Sequence, residues 1–258
     1  SVFSGNKAND RQEAIYVDNS KYWTEPTTVT LKTENNGKII FDDGINGTSE
    51  GYNLVIAGDN TGEIYLNNTV KNANISIDAT KVYLNDGANL AGSKSLELNS
   101  GILNIANFSN QTVDLNRFSN SSTITIGSVD VDLQKETMGR ITAKEYGDVS
   151  GSIEVQGVNL LNDSNKEITN VLFADKEISS NVAYTGVSPV AYSPIYKYEV
   201  AYNPDEGFFT FARSGGSSSG NQSDNFNPAV LAPSVATQAG AYTTQLQTFN
   251  YAFQHADT

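Results

Sequence analysis

The 258-residue sequence contains no cysteine and only one histidine, one methionine and one tryptophan. The absence of cysteine excludes a disulfide framework and any thiolate metal site. Basic residues are few: 16 Lys and Arg stand against 29 Asp and Glu, which gives a net charge of -13. Binding to nucleic acid or to anionic lipid needs a basic surface, so this charge argues against both. No apolar run approaches the roughly 20 residues of a membrane-spanning helix.

The stretch between residues 29 and 126 consists of short apolar-polar-apolar triplets separated by Asn, Asp, Gly and Ser. Side chains alternate along a strand, so the first and third residues of each triplet lie on one face. A single triplet buries little surface, and the pattern therefore predicts that the triplets stack on one another. The triplets begin at Val29, Ile39, Leu54, Ile64, Ile75, Val82, Leu96, Leu103, Val113 and Ile124.

The triplets form two interleaved series with a common period of about twenty residues. The first series is Leu54, Ile75, Leu96 and Val113, and the second is Ile64, Val82, Leu103 and Ile124. Such a period indicates a solenoid with at least two strands in each coil, because one repeat cannot enclose a core alone. We expect an all-β fold, a right-handed parallel β-helix. The leucine-rich repeat pattern is missing, and an antiparallel sandwich would not need so regular a period.

The character of the sequence changes along the chain. We expect a β-helical stalk over residues 1–127 and a block of longer, more aromatic strands over 128–213. This block ends in a β-hairpin cap whose turn is residues 203–207. Residues 214–232 are rich in Ser and Gly and predict a flexible linker. Apolar residues then recur at intervals of 4 and 3, which predicts an amphipathic terminal α-helix over 233–258.

The first 28 residues are the least regular part of the sequence. Residues 14–17 predict a strand that enters the first coil. Tyr22 and Trp23 precede a proline, and we expect this aromatic pair to cover the open end of the solenoid, although a carbohydrate could also stack there.

The sequence offers no convincing catalytic, cofactor-binding or metal-binding residues. Residues 216–220 match Gly-x-Ser-x-Gly but lack the strand and helix that this motif requires, and His255 lies on the distant terminal helix. The acidic residues that could form a glycan-cleaving site are scattered at corners and are better explained by turn formation. These residues are Asp42, Asp43, Asp59, Asp78 and Asp86. We therefore predict no enzymatic activity and no cofactor, and we assign no individual binding residue.

Coil repeats, an aromatic block containing residues 171–173 and 198–200, and a linker leading to residues 227–257 follow one another in this sequence. In that order they resemble the passenger domain of a classical (type V) autotransporter of the adhesin kind. The resemblance implies a stalk displayed on the bacterial cell surface or outer membrane. It also implies an autochaperone region over 128–213, and a helix that threads the pore of the protein's own outer-membrane β-barrel. We expect the sequence to be a piece of such a protein.

The expected function is adhesion or self-association through extended coil faces, with the C-terminal cap assisting folding during secretion. The expected partners are a host surface, a glycan, or like molecules on neighbouring cells. One alternative is a β-helical glycan-acting lyase or hydrolase, and another is a cytotoxic passenger.

Overall fold

The computed structural model describes residues 1–8, 11–19, 25–90, 92–214 and 227–229. Within these residues the protein is almost entirely β-structure, with one short helix, α1 (Lys176–Ser179). The strands are β1 (Val2–Phe3), β2 (Lys7–Ala8), β3 (Arg11–Val17), β4 (Thr28–Thr33), β5 (Lys38–Phe41), β6 (Gly44–Gly47), β7 (Tyr52–Gly58), β8 (Glu63–Leu66), β9 (Val70–Lys71), β10 (Ala73–Asp78), β11 (Lys81–Leu84), β12 (Ser95–Leu98), β13 (Ile102–Phe108), β14 (Thr112–Asn120), β15 (Thr123–Asp132), β16 (Thr137–Met138), β17 (Arg140–Tyr146), β18 (Ser152–Val155), β19 (Val158–Leu160), β20 (Ile168–Leu172), β21 (Val182–Tyr184), β22 (Val190–Tyr192), β23 (Lys197–Asn203) and β24 (Phe208–Arg213).

Three sheets enclose the coils. Sheet 1 has the order β1-β5-β8-β11-β13-β15-β18-β21, and sheet 2 has the order β4-β7-β10-β12-β14-β17. Sheet 3 is shorter and contains β3, β6 and β9, with β2 antiparallel to β3. Neighbouring strands along sheets 1 and 2 come from successive coils and are parallel. The protein is thus a parallel β-solenoid of about six turns, as the triplet period predicts.

The second triplet series forms one continuous ladder in sheet 1. Ile64 pairs with Val82, Val82 with Leu103, and Leu103 with Ile124, each in register. All four side chains are buried in the core. Burying one such side chain stabilises a fold by about 1.5–3 kcal/mol, and stacking repeats that gain from coil to coil. This part of the predicted register is confirmed.

The first triplet series is correct through Leu96 but wrong at its fourth member. Leu96 pairs with Phe118, whereas Val113 pairs with Ile141 of the following coil. The reason is a difference in strand length. Strand β14 has nine residues and β12 has four, so β12 covers only the end of β14. The triplet at Val113 therefore stacks on β17 and has no partner in β12.

The strand predicted over residues 14–17 lies within β3, where Ile15 pairs with Ile45 of β6. At the other end, the parallel ladder continues past residue 127. Strand β15 crosses that position without a break, Ile124 pairs with Ile153, and Ile153 pairs with Val182.

A four-stranded antiparallel sheet follows the last coil. This terminal sheet has the order β20-β24-β23-β22. The predicted turn at 203–207 joins β23 to β24: Gly207 has a positive φ of 75° and its N–H donates to the Asn203 carbonyl at 2.8 Å. Glycine adopts that φ without the strain that a side chain would add. The ring of Phe209 lies 5.6 Å from the ring of Tyr184 in sheet 1, which packs the terminal sheet against the last coil.

Several predictions fall outside the described residues. They are the aromatic pair Tyr22 and Trp23, most of the linker at 214–232, and the terminal helix at 233–258 with His255. In the part of the chain that is described, no helix is both long enough and apolar enough to cross a membrane.

Candidate binding groove

The corner aspartates act as turn formers. Asp59 accepts hydrogen bonds from the N–H groups of Asn35, at 2.9 Å, and Thr61, at 3.0 Å. The Asn35 N–H, followed by the Thr61 hydroxyl and N–H, lowers the pKa of Asp59 to about 2. Asp43 accepts from the backbone and the side chain of Asn6, and Asp78 accepts from the Ser100 hydroxyl. These contacts support the structural interpretation of the carboxylates.

Asparagine ladders connect successive coils. Asn67 Nδ2 donates to Asp42 Oδ1 at 2.6 Å, and Asn85 Nδ2 donates to Asn67 Oδ1 at 2.6 Å. A second ladder on sheet 2 links Asn74 to Asn53 at 3.1 Å. Each amide satisfies a polar group of the neighbouring coil, which is the structural role expected from the sequence.

Two stacked tyrosines lie on the outer face of sheet 1. The Tyr65 and Tyr83 ring centroids are 4.6 Å apart with an interplanar angle of 11°. Lys38 Nζ lies 3.8 Å from the Tyr65 centroid, and the Tyr65 hydroxyl donates to Glu63 at 2.9 Å. Because the neighbouring side chains already occupy the Tyr65 ring and hydroxyl, this cluster serves chiefly to hold adjacent coils together.

An open groove of about 620 Å³ runs beside sheet 3. We call it the polar groove. Its volume falls within the range of ligand sites in proteins, about 300–1,000 Å³. Amides, hydroxyls and one charge of each sign dominate the lining. The lining residues are Gln12, Glu13, Tyr16, Asn46, Gly47, Thr48, Ser49, Asn68, Thr69, Lys71, Asn72, Asn89 and Gln111.

Hydrogen bonds inside the polar groove fix part of its lining. Asn46 Nδ2 donates to Oε1 of the buried Glu13 at 3.2 Å, and Asn89 Nδ2 donates to Thr69 Oγ1 at 3.1 Å. Asn46 Oδ1 and Thr48 Oγ1 are also buried, and neither has a hydrogen-bond partner among the described residues. The groove thus combines prearranged amides with two polar atoms whose hydrogen-bonding capacity is unused.

A second cleft of about 250 Å³ adjoins the polar groove and shares Asn89 and Gln111 with it. Its lining is more apolar and includes Leu84, Leu90 and Phe108. The two clefts together form a trough that is polar along sheet 3 and apolar beyond it.

The chemistry of the polar groove favours binding over bond cleavage. Glu13 is the single carboxylate among its described lining residues, whereas glycoside hydrolysis generally uses a pair. In the described part of the chain, no three His, Cys, Asp or Glu side chains are grouped as metal ligands.

The sequence analysis assigned no residue to this groove, although a signal was present. The amides Asn46, Asn68, Asn89 and Gln111 follow one another at intervals of 22, 21 and 22 residues, close to the coil period. Polar residues with the period of the coils mark one side of the solenoid as surely as apolar residues mark its core.

The class that the fold and the groove define is a parallel β-solenoid with a polar, ligand-sized surface groove. No protein-family model, curated protein or solved structure matches the chain. The functional argument therefore depends on the fold and its surfaces.

Proposed function

We propose that the chain is part of a surface-displayed autotransporter passenger that acts in adhesion or self-association. The observation that carries the proposal is the order of the two regions. An uninterrupted stack of parallel coils leads directly into an antiparallel aromatic sheet that packs on the last coil. That order agrees with the stalk and junction that the sequence resemblance implies.

The surfaces of the coils support a binding role. On sheet 2, the polar residues Asn53, Asn74 and Ser95 align in register and alternate with buried aliphatic residues. On the side of sheet 3, the polar groove extends across several coils. Extended arrays of this kind suit a long ligand or a second copy of the protein, because contacts repeat at the spacing of the coils.

The terminal sheet is proposed to assist folding of the coils. Strands β23 and β24 are joined by a short turn, so their pairing closes a small loop. Parallel neighbours in the coils lie much further apart: Ile64 and Val82 are separated by 18 residues, and Ile124 and Ile153 by 29. Local pairs form sooner because less chain entropy is lost before contacts form. An early terminal sheet would then provide an edge for the last coil.

Cell attachment tests the adhesion role. The chain would be displayed on non-adherent bacteria through an unrelated outer-membrane anchor, with the anchor alone as the control. We expect cell aggregation or attachment to host cells without turnover of glycans. Folded, displayed protein that promotes neither would contradict the proposal, and glycan cleavage would favour the lyase or hydrolase alternative.

Refolding kinetics test the role of the terminal sheet. A chain ending at residue 167 lacks β20 to β24, and a chain ending at residue 214 retains them. We expect the shorter chain to refold at least ~10-fold more slowly, since it must begin from distant pairs. Equal refolding rates and equal protease resistance of the coils would contradict a folding role.

A further inference from the structure

We infer that the polar groove is a binding site for a neutral oligosaccharide. This inference rests on the proposed binding role and names the ligand class. The sugar chain would lie along the solenoid axis, across the coils.

The shape of the polar groove fits an extended ligand. Its lining is drawn from five successive levels of the solenoid, represented by Gln12, Asn46, Asn68, Asn89 and Gln111. Neighbouring strands in a sheet are ~4.8 Å apart, so four such steps span ~19 Å. A groove of that length holds a chain of several sugar units.

The chemistry of the lining matches sugar hydroxyls. Side-chain amides both donate and accept hydrogen bonds, as sugar hydroxyls do. The side chains of Gln12 and Gln111 make no hydrogen bond within the described part of the chain, and Gln111 is exposed. Tyr16 is 42% exposed at the groove and offers a ring face for stacking on a sugar.

An extended peptide fits the polar groove less well. None of its described lining residues is aliphatic or phenylalanine, whereas peptide grooves usually contain pockets for apolar anchor side chains. The groove also lies beside sheet 3, not at an unpaired strand edge, since β6 pairs on both sides.

Charge selects neutral sugars over acidic ones. Within the described lining, the carboxylate of Glu13 is balanced by the ammonium of Lys71. The whole chain carries a net charge of -13, which repels anionic polysaccharides at long range. A ligand without charge avoids that repulsion and loses nothing in the groove.

Two lining atoms have unused hydrogen-bonding capacity. Asn46 Oδ1 and Thr48 Oγ1 are buried without a partner among the described residues, a state that destabilises a fold. A small rotation of either side chain would bring its oxygen to a ligand hydroxyl. Binding would then satisfy groups that the protein alone leaves unsatisfied.

Calorimetric titration of the full chain tests the inference. The probes are maltotetraose, cellotetraose and chitotetraose, with tetragalacturonate as the acidic comparison and a ten-residue Ser-Thr repeat as the peptide comparison. We expect at least one neutral oligosaccharide to bind, and neither comparison ligand to bind. Absence of binding to all three neutral probes, or binding of tetragalacturonate or the peptide in their place, would overturn the inference.

Two variants locate the site. Replacing Tyr16 with alanine removes the stacking ring and should weaken binding about 10-fold. The matched control is Tyr192→Ala, because Tyr192 is 44% exposed on the terminal sheet. Replacing Gln111 with alanine should weaken binding about 5-fold, with the exposed Gln156→Ala as its control. Thermal unfolding of each variant establishes that it is folded.

Affinity that is unchanged in both groove variants would overturn the inference. The adhesion proposal fails separately. Cells that display Tyr16→Ala and still attach leave adhesion intact and place its surface elsewhere. Cells that do not attach, although the purified chain binds sugar in the groove, contradict adhesion and retain the oligosaccharide site.

Discussion

The coils and the terminal sheet are stabilised in different ways. The coil core is mainly aliphatic, and its members repeat from level to level along the solenoid. The core of the terminal sheet is aromatic and concentrated around Phe209, whose centroid lies 5.0 Å from Tyr202, 5.5 Å from Phe173, 5.6 Å from Tyr184 and 6.3 Å from Phe211. Aromatic pairs add about 0.5–1.5 kcal/mol each beyond the area they bury.

This difference predicts how damage spreads. In a stack of repeats, each coil depends on its nearest neighbours, so a lost side chain is felt locally. In the terminal sheet, one ring contacts several strands at once. A change there should affect the whole sheet and the coil beneath it.

The largest expected effect is that of Phe209→Ala. Phe209 is fully buried, and its removal should destabilise the terminal sheet by ~4 kcal/mol through lost burial and the cavity left behind. Urea unfolding followed by tyrosine fluorescence measures the change. Phe208→Ala, on the outer face of the same strand, is the matched control and should lose less than half as much. Equal losses would show that the cluster has no special role.

Leu96→Ala should have the next largest effect, about 3 kcal/mol. Leu96 is buried between Ile75 and Phe118 in sheet 2. Hydrogen exchange should show weakened amides in the adjacent coils and unchanged amides in β23 and β24. Its outward neighbour Glu97, which forms an ion pair with Arg117 at 3.2 Å, provides the control, since Glu97→Ala should cost under ~1 kcal/mol. Uniform weakening of all strands would refute local damage.

Asn67→Ala should destabilise the coils by about 1–2 kcal/mol, because Asp42 and Asn85 both lose a partner. Thermal unfolding measures the change. Asn104 lies in register with Tyr83 on the same sheet and has no side-chain hydrogen bond among the described residues. Asn104→Ala should therefore remain within ~0.5 kcal/mol of the parent. Similar losses at both positions would refute the ladder interpretation.

The smallest effect concerns acid stability near the end of the coils. Asn162 Nδ2, followed by the Lys135 N–H, lowers the pKa of Asp132 to about 2. The unfolded value is near 3.9. Folding therefore favours the charged form, and its contribution is complete above pH ~4 and disappears as pH falls toward 2.

Comparing the parent with Asp132→Asn isolates this contribution. The variant should be less stable by ~1 kcal/mol at pH 7 and nearly equal at pH 2, after allowance for solvent screening. Urea unfolding at both pH values measures the difference. A difference that is constant with pH would show that Asp132 acts through packing and not through its charge.

Most of the fold could be predicted from the sequence because alternation and coil period act together. The ladder from Ile64 to Ile124 has the predicted register. The failure at Val113 arose because strand length is set by contacts between coils, which the triplet pattern does not contain. The antiparallel turn after Asn203 was predictable, since its composition alone favours a turn.

The polar groove was harder to predict than the core. Its residues come from corners, where Asn and Gln also serve structural turns, so composition does not separate the two roles. Asn67 and Asn68 show the difficulty: they are adjacent, yet Asn67 belongs to a ladder and Asn68 lines the groove. Only the stacking of the coils decides which side chain faces which surface.

Pulse-labelling hydrogen exchange during refolding tests the central contrast most directly. The amides of Phe209 and Phe211 should become protected before those of Ile75 and Leu96, because the terminal sheet pairs locally and the coils pair over long distances. Protection of Ile75 and Leu96 before the terminal sheet would contradict the account.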